Sequence, residues 1–367
     1  MRPSGNRSTL NRLHRRSLGI AAAALLTVSL LGNPAVAQPR DSFKIAWSIY
    51  VGWMPWGYGE AEGIVKKWAD KYDINIEVVQ INDYVESINL YTAGSFDGVA
   101  LTNMDALTIP AAGGVDTTAL ILGSTSNGND GIVLKGASNL AAIKGRDVNL
   151  VELSVSHYLL ARGLASVGLT ERDVRVVNTS DADIVSVSAS PDVTAVVAWK
   201  PQLSEISQAQ GAKLVFDSSS IPGEIIDTLS VNTEVLTANP NLGKALVGAW
   251  YEIMQLMSKT DGSGKAARVA MGEASGTDLA GYEEQLATTQ LFSTPADAMK
   301  FATIARLRET MDSVRQFAFE HGLLGENASS ADFVGIGFAD GSVLGNPSNV
   351  RLRFNADYVK LAAEGKL

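Results

Sequence analysis

Short apolar segments alternate with amphipathic segments along most of the chain, and this alternation constrains the fold more than any other feature. Phe43–Ile49 has the length and the β-branched and aromatic content of a buried strand. From Ala61 to Tyr72 the apolar residues recur at helical spacing, and charged residues occupy the opposite face. A chain in which strands and helices alternate in this way is predicted to form an α/β fold.

The alternation occurs in two series. The first series ends at a polar, glycine-containing segment, Ser124–Gly131, and the second contains the predicted strand Asp147–Val151. The apolar segment Ile225–Val231 is predicted to return to the first series as a strand. Two series joined by two crossings are typical of proteins whose two lobes close about a hinge.

We therefore predict two α/β lobes joined by a two-crossing hinge. The remainder of the chain is predicted to be mostly helical, with one long helix over Pro295–His321, and to pack on the first lobe. The predicted boundaries are 1–37 for a cleaved signal peptide, 38–128 and 230–367 for the discontinuous first lobe, and 129–229 for the second lobe.

The first 37 residues have the composition of an export signal. Five arginines and no acidic residue precede the apolar run Leu18–Leu31, which is too short to span a membrane comfortably. Ala35–Ala37 then gives the small-residue pattern of a signal peptidase site. The pair Arg15-Arg16 partly matches a twin-arginine signal, and general secretory export fits equally well. Because no cysteine is present to carry a lipid, we predict a periplasmic protein.

Composition excludes several functional classes. The formal net charge of −9, which becomes more negative without the arginine-rich leader, argues against nucleic acid and anionic membranes as partners. The absence of cysteine excludes disulfides, thiol catalysis and thiolate metal sites. Only His157 and His321 remain after the leader. We therefore expect no cofactor and no metal, and we expect a monomer.

The loop after the first predicted strand has an unusual composition. Tyr50–Gly63 contains two tryptophans, two tyrosines and a proline within a short connection to the next helix. In α/β sheets, ligands bind at the carboxyl ends of strands and near the amino ends of the following helices. We therefore interpret this loop as one wall of a small-molecule pocket.

The order of these parts resembles the type II periplasmic solute-binding proteins of the nitrate/taurine (NitT/TauT) class, which serve ABC importers. The segments that carry the resemblance are VGWMPWGYGEAEG, FDGVALTNMDAL, ELSVSHYL and TAVVAWKPQL. Within this class they are most similar to the branch associated with urea carboxylase, which handles urea and guanidine. The resemblance implies a type II periplasmic-binding-protein fold, a small-molecule ligand, a membrane permease as partner and no enzymatic activity.

The charges at the predicted strand ends favour a cation. Glutamates and aspartates outnumber the one lysine, Lys200, and no arginine is present there. A sulfonate or nitrate site needs cationic side chains or several free N–H groups, whereas guanidinium needs carboxylates around it and aromatic faces above and below it. We predict guanidinium as the ligand, with urea next. The predicted ligand contacts are Trp53, Trp56, Asn103, Asp105, Glu152, Ser154, His157, Trp199 and Asp227.

Two alternatives stay open from the sequence. One is a receptor for taurine or another sulfonate, for nitrate or for a nitrogenous heterocycle. The other is an enzyme on the same fold, similar to a pyrimidine synthase, in which His157 would act with a serine such as Ser154 or Ser156. The export signal and the small number of histidines favour a binding protein over an enzyme.

Overall fold

The computed structural model describes residues 40–367, so the predicted signal peptide lies outside the described residues. The strands are β1 (Ser42–Trp47), β2 (Asn75–Gln80), β3 (Gly98–Thr102), β4 (Thr117–Ser126), β5 (Asp130–Lys135), β6 (Asp147–Leu150), β7 (Arg175–Asn178), β8 (Ala195–Trp199), β9 (Ala212–Asp217), β10 (Ile226–Asn232), β11 (Thr289–Leu291), β12 (Gly335–Gly337), β13 (Val343–Leu344) and β14 (Val350–Phe354).

The helices are α1 (Met54–Ala61), α2 (Ile64–Lys71), α3 (Tyr84–Thr92), α4 (Asn103–Ala106), α5 (Val155–Ser166), α6 (Ile184–Ser188), α7 (Gln202–Ser207), α8 (Thr233–Ala238), α9 (Pro240–Met257), α10 (Gly262–Ala274), α11 (Leu279–Ala287), α12 (Pro295–Ala302), α13 (Ala305–Glu320) and α14 (Asp357–Ala363). A π-helical turn, Leu107–Ala111, continues α4, and short 3₁₀ turns cover Leu140–Ile143, Glu171–Asp173 and Ser218–Ser220. No helix in the described range is both long enough and apolar enough to cross a membrane.

The larger of two sheets has nine strands and contains the first and the last strands of the described chain. Its order is β13-β12-β14-β4-β10-β3-β1-β2, and β11 pairs with the end of β4. β1 is parallel to β2 and β3, whereas β10 runs antiparallel between β3 and β4. Every residue of β3 and β4 is buried, as their continuous apolar and small residues predict. We call this sheet and the helices packed on it the large lobe.

The smaller sheet has five strands in the order β7-β6-β8-β5-β9. β6 is parallel to β7 and β8, and β5 is antiparallel to β8 and β9. We call this sheet, with α5, α6 and α7, the small lobe. All its strands lie between Asp130 and Asp217, inside the segment predicted for the second lobe, whose boundaries stay a prediction.

Two connections join the lobes. The chain passes from β4 to β5 through residues 127–129 and returns from β9 to β10 through residues 218–225. The first crossing is shorter than predicted, because the strands extend into the polar segment Ser124–Gly131 from both sides. The predicted return strand is confirmed, since β10 pairs with both β3 and β4.

The region after β10 differs from the sequence prediction in two ways. It is not only helical, because β11 to β14 add four short strands to the large sheet. The long helix predicted over Pro295–His321 is in fact two helices, α12 and α13, separated at Thr303 and Ile304. Both residues are β-branched and have low helix propensity, and Ile304 takes an extended conformation that ends the helical hydrogen-bond pattern.

Candidate ligand-binding site

A narrow cavity lies where strand ends of the two lobes meet. The empty space between its walls is about 250 Å³, part of it open to solvent, and the space at its centre has room for about one water molecule. The walls consist of Tyr50, Trp53, Tyr84, Thr102, Ile225 and Asp227 from the large lobe and the second crossing, and of Asp130, Val155 and Trp199 from the small lobe. Only a solute of a few heavy atoms fits such a space.

Four aromatic side chains form a continuous wall. Trp53 contacts Tyr50 and Tyr84, with ring centroids 4.9 and 5.5 Å apart, and Tyr84 meets Trp199 edge-on at 5.5 Å. Trp53 stands directly before α1, and Tyr84 is the first residue of α3, where the Asp83 side chain caps the helix. The ends of β1, β2 and β8 therefore deliver rings from both lobes to one place.

Asp227 lies fully buried at the start of β10. Its Oδ2 atom accepts hydrogen bonds from Tyr50 Oη at 3.0 Å and from Ser124 Oγ at 2.5 Å. Burial raises the pKa of Asp227 to about 8; the nearby Asp130 adds to the rise, and the two hydroxyl donors oppose it. Both hydrogen bonds use the same oxygen, so Oδ1 is left for another donor.

Asp130 is a second buried carboxyl, at the start of β5. Ser126 Oγ donates to its Oδ2 atom at 2.5 Å. Burial raises its pKa to about 7, with a further contribution from the charge of Asp105.

Asp105 is the third buried carboxyl and lies in α4, behind the wall residues Tyr84 and Thr102. Its Oδ2 atom accepts from Tyr84 Oη at 2.6 Å and from Thr102 Oγ1 at 2.8 Å, while its Oδ1 atom is buried without a close hydrogen-bond partner. Burial raises its pKa to about 6; the Tyr84 and Thr102 hydroxyls and the nearby Val155 N–H act in the opposite direction.

These three aspartates share one electrostatic feature. Within residues 40–367, no lysine, arginine or histidine forms a salt bridge or a side-chain hydrogen bond with any of them. Lys200, the cation predicted at the strand ends, instead pairs with Glu284 at 3.1 Å. Buried carboxylates without a cation are costly, which is why their pKa values rise. The cavity is therefore suited to a positively charged occupant.

The aspartates are too far apart for a single metal ion. Their carboxylate oxygens do not all come within 4.8 Å of one another, unlike those of a separate His–Glu–His cluster described below. An ion bound by three protein oxygens needs closer ligands, because bond lengths run from about 2.0 to 2.6 Å. A planar cation with N–H groups at several corners suits the wider spacing.

The structure brings some of the predicted contact residues together and separates others. Trp53, Trp199 and Asp227 line the cavity, and Asp105 lies directly behind its wall. The remaining predicted residues, Trp56, Asn103, Glu152, Ser154 and His157, are not among the wall residues.

Each residue outside the wall has another environment. Trp56 is fully buried and stacks on Trp250 at 5.2 Å, as part of the core. Asn103 accepts from the Ile226 N–H and donates to the Glu224 carbonyl, which fixes the second crossing. Ser154 caps α5, Glu152 is exposed, and His157 contacts Glu171.

Six of the nine wall residues were not among the predicted contacts: Thr102, Val155 and Ile225, and the three discussed next, Tyr50, Tyr84 and Asp130. Tyr50 lies in the loop predicted to form the pocket, but the charge comparison that selected the contacts did not single it out. Tyr84 is the first residue of a helix, and the sequence does not show toward which side of the sheet that helix begins. Asp130 lies in a polar segment that suggests a surface loop, although Ser126 and Ser218 bury it at the crossing. Its only signal was its place directly before an apolar strand.

Two α/β lobes joined by two crossings, with a cavity between their strand ends, define the periplasmic-binding-protein fold. Residues 64–259 match the model of the NMT1/THI5-like family, and the chain belongs to that family. A protein of Brucella abortus, named as a candidate binding protein, is 25% identical over 163 residues. That match covers 44% of this chain and 50% of the relative, so the chain spans about half the length of the curated relatives it matches.

Solved structures show the same fold. The alkanesulfonate-binding protein SsuA from Xanthomonas axonopodis pv. citri, bound to MOPS, superposes with a TM-score of 0.64 at 17% identity, over 79% of this chain and 96% of that one. The desulfurization enzyme DSZB superposes with a TM-score of 0.55 at 14% identity, over 89% of this chain and 100% of that one. The fold therefore occurs in both binding proteins and enzymes, and the site must decide between them.

Proposed function

We propose that this protein is a periplasmic receptor that binds guanidinium, or a closely related nitrogen-rich solute, and delivers it to the permease of an ABC importer. The observation that carries the proposal is the group of three fully buried aspartates with no basic partner among the described residues. A bound cation would supply the missing charge to all three.

The cavity walls match the shape of a small planar cation. Trp53 and Trp199 lie on the wall, and a cation over a desolvated tryptophan face gains roughly 2 kcal/mol. Each charge-assisted hydrogen bond to an aspartate contributes about 1.5–3 kcal/mol. A few such contacts are enough for micromolar affinity, about −8 kcal/mol, after the costs of association.

Charge argues against a sulfonate. The similar Xanthomonas protein binds alkanesulfonates, but the present cavity has no arginine or lysine on its wall. An anion placed there would face the carboxyl groups of Asp130 and Asp227, with that of Asp105 behind the wall. Protonating those groups would reduce the repulsion but would still provide no cationic partner.

Urea is the second candidate because of one observation on Trp53. The indole N–H of this wall residue is buried and has no hydrogen-bond partner in the described part of the chain. Guanidinium has no acceptor for such a donor, whereas the carbonyl oxygen of urea is one. Urea would forgo the ion pairing, so we rank it below guanidinium.

The environment of His157 argues against an enzyme that uses it as a base. Its Nδ1 atom accepts the Leu153 N–H at 3.1 Å, and its Nε2 atom lies 2.5 Å from Glu171. Nδ1 is therefore occupied by a backbone donor, Nε2 lies against a carboxylate, and the ring is not on the cavity wall, where a bound substrate would have to reach it. The proposed role is binding, in which contacts from both lobes stabilise the closed form that a permease recognises.

Isothermal titration calorimetry of the purified protein with guanidinium, urea, taurine and nitrate tests the proposal. Guanidinium is expected to bind in the micromolar range, and Asp227→Asn to weaken it at least about tenfold, the loss of one charge-assisted contact. Asp192→Asn removes an equal charge from an exposed site and is the matched control. Binding of taurine or nitrate without binding of guanidinium or urea would refute the cation assignment.

A further inference from the structure

A cluster of two histidines and a glutamate lies outside the cavity and joins the lobes. Glu171, in the small lobe after α5, has one carboxylate oxygen 2.5 Å from His157 Nε2 and the other in close contact with His321 Nε2. His157 lies in the first turn of α5, in the same lobe as Glu171. His321 follows α13, which packs on α4 of the large lobe.

The hydrogen bonds on the far side of each imidazole fix the positions of the protons. His157 Nδ1 accepts the Leu153 N–H at 3.1 Å, so the proton of this ring is on Nε2, which lies against Glu171 without an aligned hydrogen bond. His321 Nδ1 lies 2.8 Å from the Phe317 carbonyl, which can only accept. Both ring nitrogens of His321 therefore face oxygen acceptors, an arrangement that suits the doubly protonated ring, and in that form His321 makes an ion pair with Glu171.

Aromatic packing holds the cluster in place. The Phe317 and His321 rings are stacked with centroids 3.9 Å apart, and His157 meets both rings edge-on at 6.1 and 5.6 Å. Tyr158, next to His157 in α5, also meets Phe317 edge-on, at 5.2 Å. Separation of the lobes would break the edge-on contacts of His157 and Tyr158 together with the Glu171–His321 contact, whereas the Phe317–His321 stack lies within one lobe.

The same turn of α5 reaches the ligand site. Val155 is the first residue of α5 and a wall of the cavity, and its N–H points toward Asp105. His157 is two residues further along that turn. A contact that holds His157 against α13 therefore also holds Val155 against the large lobe.

We propose that Glu171, between His157 and His321, is a latch that holds the two lobes closed and thereby slows release of the ligand. Glu171 does not line the cavity, so it is a positioning residue and not a ligand contact. The role of the latch in ligand release rests on the proposed binding function. Its effect on lobe closure is independent of that function and can be measured without any ligand.

The geometry favours this direct latch over a metal site. Ligand atoms of the three residues lie within 4.8 Å of one another, which would also suit a transition metal. However, the Leu153 N–H on Nδ1 places the proton of the His157 ring on Nε2, and a metal bound there would have to displace it. The ring could not then move that proton to Nδ1, because the Leu153 N–H already occupies that side.

The test measures the closed fraction of the ligand-free protein. Because the chain has no cysteine, Glu86→Cys and Glu152→Cys place spin labels on exposed residues, one on each lobe, for a pulsed-dipolar distance measurement. Glu171→Gln keeps the side-chain shape and removes the charge, and it is expected to lower the closed-to-open ratio about tenfold, as loss of one charge-assisted hydrogen bond does. The exposed Glu326→Gln is the matched control and should leave the ratio unchanged.

A second variant keeps the proposal testable if the first folds poorly. His321→Gln should open the protein as much as Glu171→Gln does, and the double variant should open it no further, because both changes break one contact. A distance distribution unchanged in both single variants would overturn the latch. A closed fraction that falls with a chelator and rises with added Zn²⁺ only when Glu171 is present would also overturn it, in favour of a metal site.

If guanidinium binds, its dissociation rate should rise about tenfold in Glu171→Gln while the association rate stays within a factor of about two. Failure of all four solutes to bind would refute the proposed function and leave the label distances to decide on the latch.

Discussion

Ligand affinity should depend on pH with a sign that reveals the charge of the ligand. Asp227 has a pKa of about 8 in the ligand-free cavity, raised mainly by burial, and a cationic ligand requires its ionised form. When a cation binds at pH 6, Asp227 must therefore release its proton. Well above pH 8 Asp227 is already ionised, and binding releases no proton from it. For one carboxyl with this pKa, the ionised fraction, and with it the affinity for guanidinium, rises at most about 50-fold between pH 6 and pH 8.

Calorimetry across this pH range, in buffers with different ionisation enthalpies, measures both the affinity and the number of protons released. Asp227→Asn should bind weakly and lose most of the slope, and Asp192→Asn should keep the wild-type slope. Urea, which is neutral, should show a much smaller change than guanidinium. Affinity for guanidinium that is independent of pH, or that rises toward acid, would refute the reasoning about the buried carboxyls.

Three further outcomes follow from the same contacts. The melting temperature of the ligand-free protein should fall as pH rises from about 5 to 8, because the carboxyl groups of the unfolded chain lose their protons near pH 4, whereas the three buried aspartates of the folded protein keep theirs until about pH 6 to 8. In a scanning calorimeter, Asp227→Asn should make this fall less steep. An equally steep fall in the variant would contradict the raised pKa of Asp227. Trp53→Ala should weaken guanidinium binding about tenfold, since it removes one cation–π face, and unchanged affinity in a titration would exclude Trp53 as a contact. Trp56→Ala should instead destabilise the fold by roughly 3–5 kcal/mol in thermal unfolding followed by scanning calorimetry, because it empties a fully buried site. A stable variant that fails to bind would place Trp56 in the ligand site after all.

The alternation of apolar and amphipathic segments was sufficient to predict the fold. Continuous apolar strands such as β3 and β4 are buried on both faces, so their pattern does not depend on distant partners. The short strands near the carboxyl end could not be predicted in the same way. β14 forms because it pairs with β4, more than 200 residues earlier in the chain, and its own pattern, VRLRF, fits a surface loop as well as an edge strand.

The candidate site was predictable only where a residue stands at the end of an apolar strand. Asp227 and Trp199 meet that condition, and both line the cavity. Trp53 and Trp56 could not be distinguished, because they occupy one loop and differ by a single helical turn. What separates them is Trp250 in α9, which stacks on Trp56 and draws it into the core. A contact between residues so far apart in the chain leaves no local signal in the sequence.

The cavity and the latch act on lobe closure in opposite directions. Closing the empty cavity buries three carboxyl groups without a cation, so the aspartates favour the open form, and increasingly so as pH rises and they ionise. In the proposed latch, the Glu171–His321 pair and the contacts of His157 and Tyr158 with α13 and His321 favour the closed form. Under the proposed function, a cation in the cavity would remove the first effect and leave the second, so closure would follow binding. The charge of the ligand, more than its contact area, then decides which solutes close the protein, and this is the physical reason to expect guanidinium to be preferred over urea.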